Sequence, residues 1–185
     1  MVSAEAIAKL SVILKPISDE QGANAAVALL LKHRRNDFDL LLVKRVENPS
    51  DTWSGQMALP GGKQESKDLS LKHTIMRETL EETGIALRLC RFLGVLSAVR
   101  SEPKPEFVVL PFVVLLEDEP ELKLSEAELE TYIWVPCEEV IGSKGVVEFD
   151  FGRVPAFLFA DAVVWGVTYR ILSEFIRTIE EAKQW

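Results

Sequence analysis

Apolar residues recur along this chain with two spacings. Ala23 to Leu31 and Phe107 to Leu116 are nearly unbroken apolar runs, as expected of strands covered on both faces. Phe38 to Arg45 predicts a second strand after the first, with His33 to Asp37 as the hairpin loop between them. Helical spacing governs other stretches. Ile7, Leu10, Ile13 and Leu14 predict a helix from Ser3 to Leu14, capped by Ser3 and ended by Pro16. Leu71, Ile75, Thr79 and Leu80 give a buried side to a helix from Asp68 to Thr83, with Gly84 as its stop. Val163, Val164, Val167, Ile171, Leu172, Phe175, Ile176 and Ile179 predict a docked closing helix from Ala162 to Ala182.

The intervening chain is shorter in pattern. Ile85 to Val99 has strand character broken at Gly94, and Tyr132 to Val135 reads as a short strand. Pro136 opens a short helix through Val140, and Val146 to Phe149 forms a strand leading to Gly152. Glu47 to Met57 and Arg100 to Glu106 read as loops. The order β-β-α-β-β-β-α predicts a single α/β (α+β) domain over residues 1–185, a sandwich by the layer rules. Residues 1–20 form a helical extension and 162–182 the closing helix.

Composition narrows the classes. The chain has 185 residues, 48% hydrophobic and 27% charged, which suits a globular domain with a sizeable core. The net charge of −8 argues against broad binding of nucleic acid or anionic membrane. It leaves a phosphate substrate open, since a bound cation reverses the local sign. Two cysteines, Cys90 and Cys137, stand in no metal-ligand spacing. The first residues show no basic segment followed by an apolar run, and Pro111 interrupts the longest apolar run. A cytoplasmic location is therefore the expectation. Nothing in the pattern decides oligomeric state, and a homodimer is left open.

The densest chemistry is Arg77-Glu78-Thr79-Leu80-Glu81-Glu82-Thr83-Gly84. On a helix, Glu78, Glu81 and Glu82 share one face, where like charges cost a few tenths of a kcal/mol per pair. An oxygen-rich cluster of that kind suits Mg²⁺ or Mn²⁺. The bland alternative is a solvated acidic face. Leu59-Pro60-Gly61-Gly62 upstream reads as a tight turn that brings backbone close to a ligand. His73 beside the apolar stripe reads as a satisfied or half-exposed histidine and not a ligand, because Mg²⁺ sites seldom use imidazole. Trp53 reads either as a lid over the core edge or as a stacking surface for a base. Lys44 and Arg45 end a strand where they could meet phosphate, and a solvated strand end is the alternative for Lys44.

These residues resemble the Nudix box, GX5EX7REUXEEXGU with U aliphatic. Gly62 matches its leading Gly, and Arg77, Glu78, Leu80, Glu81, Glu82, Gly84 and Ile85 match its second half. The distance from Gly62 to Arg77 is one residue longer than the pattern, and Asp68 stands where the first Glu would. The resemblance implies a Nudix-type α/β/α sandwich with a mixed sheet between helices. It implies hydrolysis of a phosphoanhydride by water activated on Mg²⁺ or Mn²⁺. Glu78, Glu81 and Glu82 then look like metal ligands, a carbonyl of Gly61-Gly62 like a further one, and Arg77 like the residue that orients the glutamates. Glu128 is the favoured acid from outside the box, with Glu126 and Glu130 as rivals. The general base is left open.

Upstream, Leu41 to Arg45 and Gly55 to Gly62 are similar to the coenzyme A pyrophosphatase branch, as is Val164 to Leu172. On that resemblance Arg45, Gly61 and Gly62 are substrate-binding candidates, and Trp53 joins them on the stacking reading of its loop. Val43, Val46 and Leu59 depart from the branch's pattern, and Asp51 stands where it has a second Arg. Coenzyme A therefore competes with ADP-ribose, dinucleotides and nucleoside triphosphates as the nucleotide-type substrate. A non-catalytic nucleotide-binding module is the alternative from another class, disfavoured by the complete second half of the box.

Overall fold

The computed structural model describes residues 4–18, 20–34, 37–159 and 162–184. In order these form α1 (Ala4–Ile13), β1 (Ala25–Arg34), β2 (Asp37–Arg45), β3 (Met57–Ala58), β4 (Gly61–Lys63) and α2 (Leu71–Thr83). Then follow β5 (Arg91–Val95), β6 (Val99–Arg100), β7 (Val108–Leu116), β8 (Leu129–Pro136) and α3 (Cys137–Gly142). The chain closes with β9 (Lys144–Phe149), β10 (Gly152–Phe159), β11 (Ala162–Trp165) and α4 (Gly166–Gln184).

The central sheet runs β3-β2-β1-β7-β5, with β4 also on β1, β6 on β7 and β8 on β2. It is mixed: β1 and β7 lie parallel from Ala25↔Val109 to Lys32↔Leu116, and the other pairs are antiparallel. Both faces of β1 are covered, which explains its continuous apolar run. Ala26, Ala28 and Leu30 share one buried cluster with Leu71 and Ile75 of α2. Leu29 and Leu31 share the other with Ile171, Leu172, Phe175 and Ile176 of α4, and with Leu10 and Leu14 at the N-terminal end. Each such leucine or isoleucine contributes about 1.5–3 kcal/mol when fully buried. The expected α/β/α sandwich with a mixed sheet is what the chain adopts.

Several boundaries differ from the expectation. Helix α2 begins after Ser70, whose Oγ accepts the His73 N–H at 3.2 Å, so Asp68 lies before the helix. Its buried stripe is Leu71, Thr74, Ile75, Thr79, Glu82 and Thr83, while Leu80 is 50% exposed. Steps of four and three from Leu71 reach Thr79 and Glu82, so the stripe carries Glu82 inward and leaves Leu80 outside. The Gly61-Gly62 turn is instead strand β4, paired with Ala26 and Val27 of β1. Strands β1 and β2 extend into the expected hairpin loop, whose residues 35–36 lie outside the described ones.

The expected closing helix loses its first turn to β11, where Val163 and Val164 pair with Leu158 and Phe157 of β10. β-branched pairs fit a strand as well as a helix period, and Gly166 at φ 63° makes the break. Strand β10 escaped the pattern, because Pro155 interrupts it. Gly94 marks a bulge in β5 against β7, and a 3₁₀ turn at Leu87–Leu89 precedes that strand. Ser3, the expected cap of α1, lies outside the described residues. Among the described residues no helix is long and apolar enough to cross a membrane.

Candidate active site

The acidic face of α2 meets the start of β4. The backbone N–H of Gly61 donates to Glu82 Oε2 at 2.8 Å, and Glu82 is only 2% exposed. Any side chain at 61 would collide with β1, since an added Cβ lies 2.2 Å from the Ala26 carbonyl oxygen. An added Cβ at Gly62 would lie 2.5 Å from Glu78 Oε1, so the glycine pair lets the two glutamates close on the backbone. Burial pushes the Glu82 carboxyl up to about 8; Glu78 and Glu128 add to the rise, and the Gly61 N–H and Arg45 oppose it. Burial also raises the Glu78 carboxyl, with Arg77 opposing and Glu81 and Glu128 adding.

Arg77 is the organiser of the helix start. Its Nε and Nη2 grip the two oxygens of Asp68 at 3.0 and 2.8 Å. Its Nη1 lies 2.9 Å from Glu78 Oε1 and 3.0 Å from Glu81 Oε2. Asp68 also accepts from the Glu65 N–H and the Thr74 hydroxyl. The Arg77 hydrogen bonds, opposed by burial, hold its carboxyl far below the usual carboxylate range. Asp68 is thus a buried anchor for Arg77, which answers the question raised by its place in the motif. Ser70 and His73 fold the intervening chain: His73 Nδ1 accepts the Leu69 N–H at 3.2 Å and is exposed.

Glu128 comes to the site through backbone bonds. Ser125 N–H donates to the Glu82 carbonyl and Lys123 N–H to that of Thr83, tying this segment to the end of α2. The Glu128 carbonyl in turn accepts the Val46 N–H next to Arg45. Of the three acids weighed for this role, Glu128 is the one whose charge reaches both Glu78 and Glu82. Glu130 pairs with Lys44 at 2.9 Å instead, and that pairing accounts for Lys44.

A cleft of about 270 Å³ opens beside the glycines, lined among others by Arg45, Asp51, Trp53, Lys63, Ser101 and Phe107. Arg45 donates twice to Asp51 Oδ2, at 2.9 and 2.7 Å, and Asp51 Oδ1 accepts the Trp53 N–H at 3.1 Å. The Trp53 and Phe107 rings meet edge to face at 5.3 Å. Lys104 Nζ stands 5.1 Å over Trp53 and Lys63 Nζ 5.6 Å over Phe107. The structure therefore gathers Arg45, Gly61, Gly62 and Trp53 in one cleft. Phe107, Lys63, Lys104 and Ser101 were not singled out from the sequence, where Phe107 reads only as the start of a strand.

The donor set fits a hard divalent cation: oxygen ligands only, with Glu82 buried and pressed by the charges of Glu78 and Glu128. As the side chains stand, among the described residues no three acidic, imidazole or thiol groups converge closely enough to hold an ion together. Glu81 is drawn to Arg77 at the site's mouth, with its side chain 51% exposed.

A family model described as NUDIX domain matches residues 22–157. The mitochondrial coenzyme A diphosphatase NUDT8 of Homo sapiens is 29% identical over 160 residues, 83% of this chain and 67% of that protein. An uncharacterised protein of Schizosaccharomyces pombe is 38% identical over 108 residues, 55% of this chain, which spans only 33% of that relative's length. Among solved structures, the MutT protein of Methanosarcina mazei aligns over 92% of this chain and 95% of its own, with 26% identity and a TM-score of 0.53.

Proposed function

Since the chain belongs to the Nudix family, we propose that it is a pyrophosphohydrolase that splits a nucleoside diphosphate derivative at its pyrophosphate link with water. Glu78, Glu81 and Glu82 would hold the divalent cation, Mg²⁺ or Mn²⁺, with Glu128 close by. Such a cation, when bound, withdraws charge from the pyrophosphate oxygens and acidifies a water molecule. The observation that supports this most is Glu82. A buried carboxylate with a single backbone donor and two acidic neighbours is costly unless a cation joins it.

The chain's own groups supply the rest. The Gly61 N–H fixes one Glu82 oxygen and leaves the other to face a ligand. Arg77, locked by Asp68, holds Glu78 and Glu81 by ion pairs and keeps their charges from scattering the helix face. Arg45 lies near enough to Glu82 to act on its charge and presents the cleft with a guanidinium for phosphate oxygens. Trp53 and Phe107 offer an aromatic wall for a base.

Coenzyme A is one substrate of this class, favoured by the likeness to the human diphosphatase. ADP-ribose or a dinucleotide is favoured instead by Asp51, an acid among the cleft's cations. The test is a hydrolysis screen with Mg²⁺ and with Mn²⁺ over coenzyme A, ADP-ribose, NADH, a dinucleoside polyphosphate and the common triphosphates, with products weighed. Cleavage within a pyrophosphate link is the expected result. Release of pyrophosphate from a triphosphate alone would shift the reading to a triphosphate pyrophosphatase, and no turnover at all to a binding module.

A further inference from the structure

The cleft holds two polar groups that take no part in the proposed hydrolysis, Asp51 and Ser101. Arg45 lines the cleft together with Gly61, whose N–H holds Glu82 at 2.8 Å. Asp51 is gripped by Arg45, and Trp53 is fixed by Asp51 through its backbone N–H. Lys104 acts on Asp51 and stands over the Trp53 ring. The sequence of groups from the acids outward is therefore Glu82, Arg45, Asp51, then the Trp53–Phe107 wall. At that far wall the Ser101 hydroxyl is 1% exposed and has no hydrogen-bond partner among the described residues. It lines the same cleft. A buried hydroxyl left without a partner is costly, and a heteroaromatic base with polar edge atoms would supply one.

Asp51 itself is set up to remain an anion. Burial works against its charge, but the Trp53 N–H and Arg45 outweigh that and hold its carboxyl below the ordinary value. Oδ1 takes one hydrogen bond and Oδ2 takes two from one guanidinium, so a lone pair on Oδ1 remains for a further donor. A hydroxyl can donate to such an oxygen. A phosphate monoester cannot, and brings close to two negative charges at neutral pH.

Resting on the reading above, which puts the pyrophosphate at the acidic end, we propose that Asp51 selects the sugar. With the base on the Trp53–Phe107 wall, the ribose of a nucleotide spans the Arg45–Asp51 pair between them. Asp51 accepts a ribose hydroxyl and repels a ribose that carries an added phosphate. The enzyme is then specific for nucleoside diphosphate derivatives with free ribose hydroxyls, and coenzyme A, with its 3′-phosphate, is a poor substrate.

The decisive pair is dephospho-coenzyme A and coenzyme A, which differ only in that phosphate. Wild-type kcat/KM should favour dephospho-coenzyme A by about tenfold or more, as expected for like charges close together in a partly desolvated cleft. In Asp51→Asn, which keeps the side chain's shape, the ratio should fall towards one whatever the absolute rates, and the change should lie mainly in KM. A merely structural role would lower both rates together and leave the ratio intact. Equal use of the two by wild type, or an unchanged ratio in the variant, overturns the proposal. Calorimetric binding of AMP against adenosine 3′,5′-bisphosphate reads the same discrimination without turnover. Preference for AMP in a protein that hydrolyses nothing would uphold the role of Asp51 and sink the hydrolase reading. Equal binding of the two, with hydrolysis intact, would do the reverse.

Discussion

The two ends of the cleft are built differently. The acidic end is local in sequence: Glu78, Glu81 and Glu82 share one helix with Arg77, and Asp68 and the two glycines lie within about two dozen residues. The aromatic end is assembled from afar, with Trp53 from the loop before β3, Phe107 immediately before β7, and Ser101 and Lys104 from the same segment. The acidic end is also clamped, by a guanidinium with four carboxylate neighbours, whereas the aromatic end is held by ring contacts and one carboxylate. A helix face can keep reacting groups in fixed register, while loops can change what is recognised without disturbing them. The difference teaches where to expect losses of turnover and where losses of preference.

The largest effect should come from Glu82→Gln. It removes the charge of the proposed buried metal ligand without changing shape, so kcat should fall by about a hundredfold or more. Thermal unfolding should show the fold intact, and turnover near wild type would contradict the role of this helix face.

Next is Asp68→Asn, which leaves Arg77 without its buried partner. A loss of about 3–5 kcal/mol in denaturant-measured stability is expected, as for other buried pairs broken on one side. The sign with pH follows from the lowered Asp68 carboxyl. Its contribution is fully present above the ordinary aspartate range and is lost as acid protonates it, so wild type and variant should converge at low pH.

At the aromatic end, Trp53→Ala should act on KM, by about tenfold, with kcat less affected. An equal loss in both would mean that the ring supports the fold of the 47–57 loop and not the substrate.

A further effect is a proton. Glu82 is raised to about 8, above its unfolded value, so without a cation it destabilises the fold progressively between about pH 4.5 and 8. Metal-free protein should lose melting temperature over that span, and added Mg²⁺ should reduce the loss. Calorimetry in buffers of different ionisation enthalpy should find a proton released on Mg²⁺ binding at pH 7.

Much of this was legible in the sequence for the reason that separates the two ends. Glu78, Glu81 and Glu82 could be placed on one face because helix geometry fixes their spacing. The glycine pair was legible as a close backbone approach but not as strand β4, because its pairing with β1, which leaves no room for a Cβ at 61, is long-range. The apolar pattern puts Leu80 inward because an apolar residue beside the stripe looks the same as one within it; the stripe through Leu71, Ile75 and Thr79 continues to Glu82 instead. Asp68 was visible only as a mismatch, since its partner Arg77 is nine residues away across a helix cap. Phe107, Ser101 and Lys104 could not be joined to Trp53 from spacing at all. That contact depends on the pairing of β7 with β1, which no local pattern encodes.

The most direct test of the central claim is calorimetric titration of Mn²⁺ into wild type and Glu82→Gln at the same pH. Saturable binding to wild type, weakened tenfold or more in the variant, is the expected result. The same affinity in both, or none in either, would contradict a metal site built on Glu82.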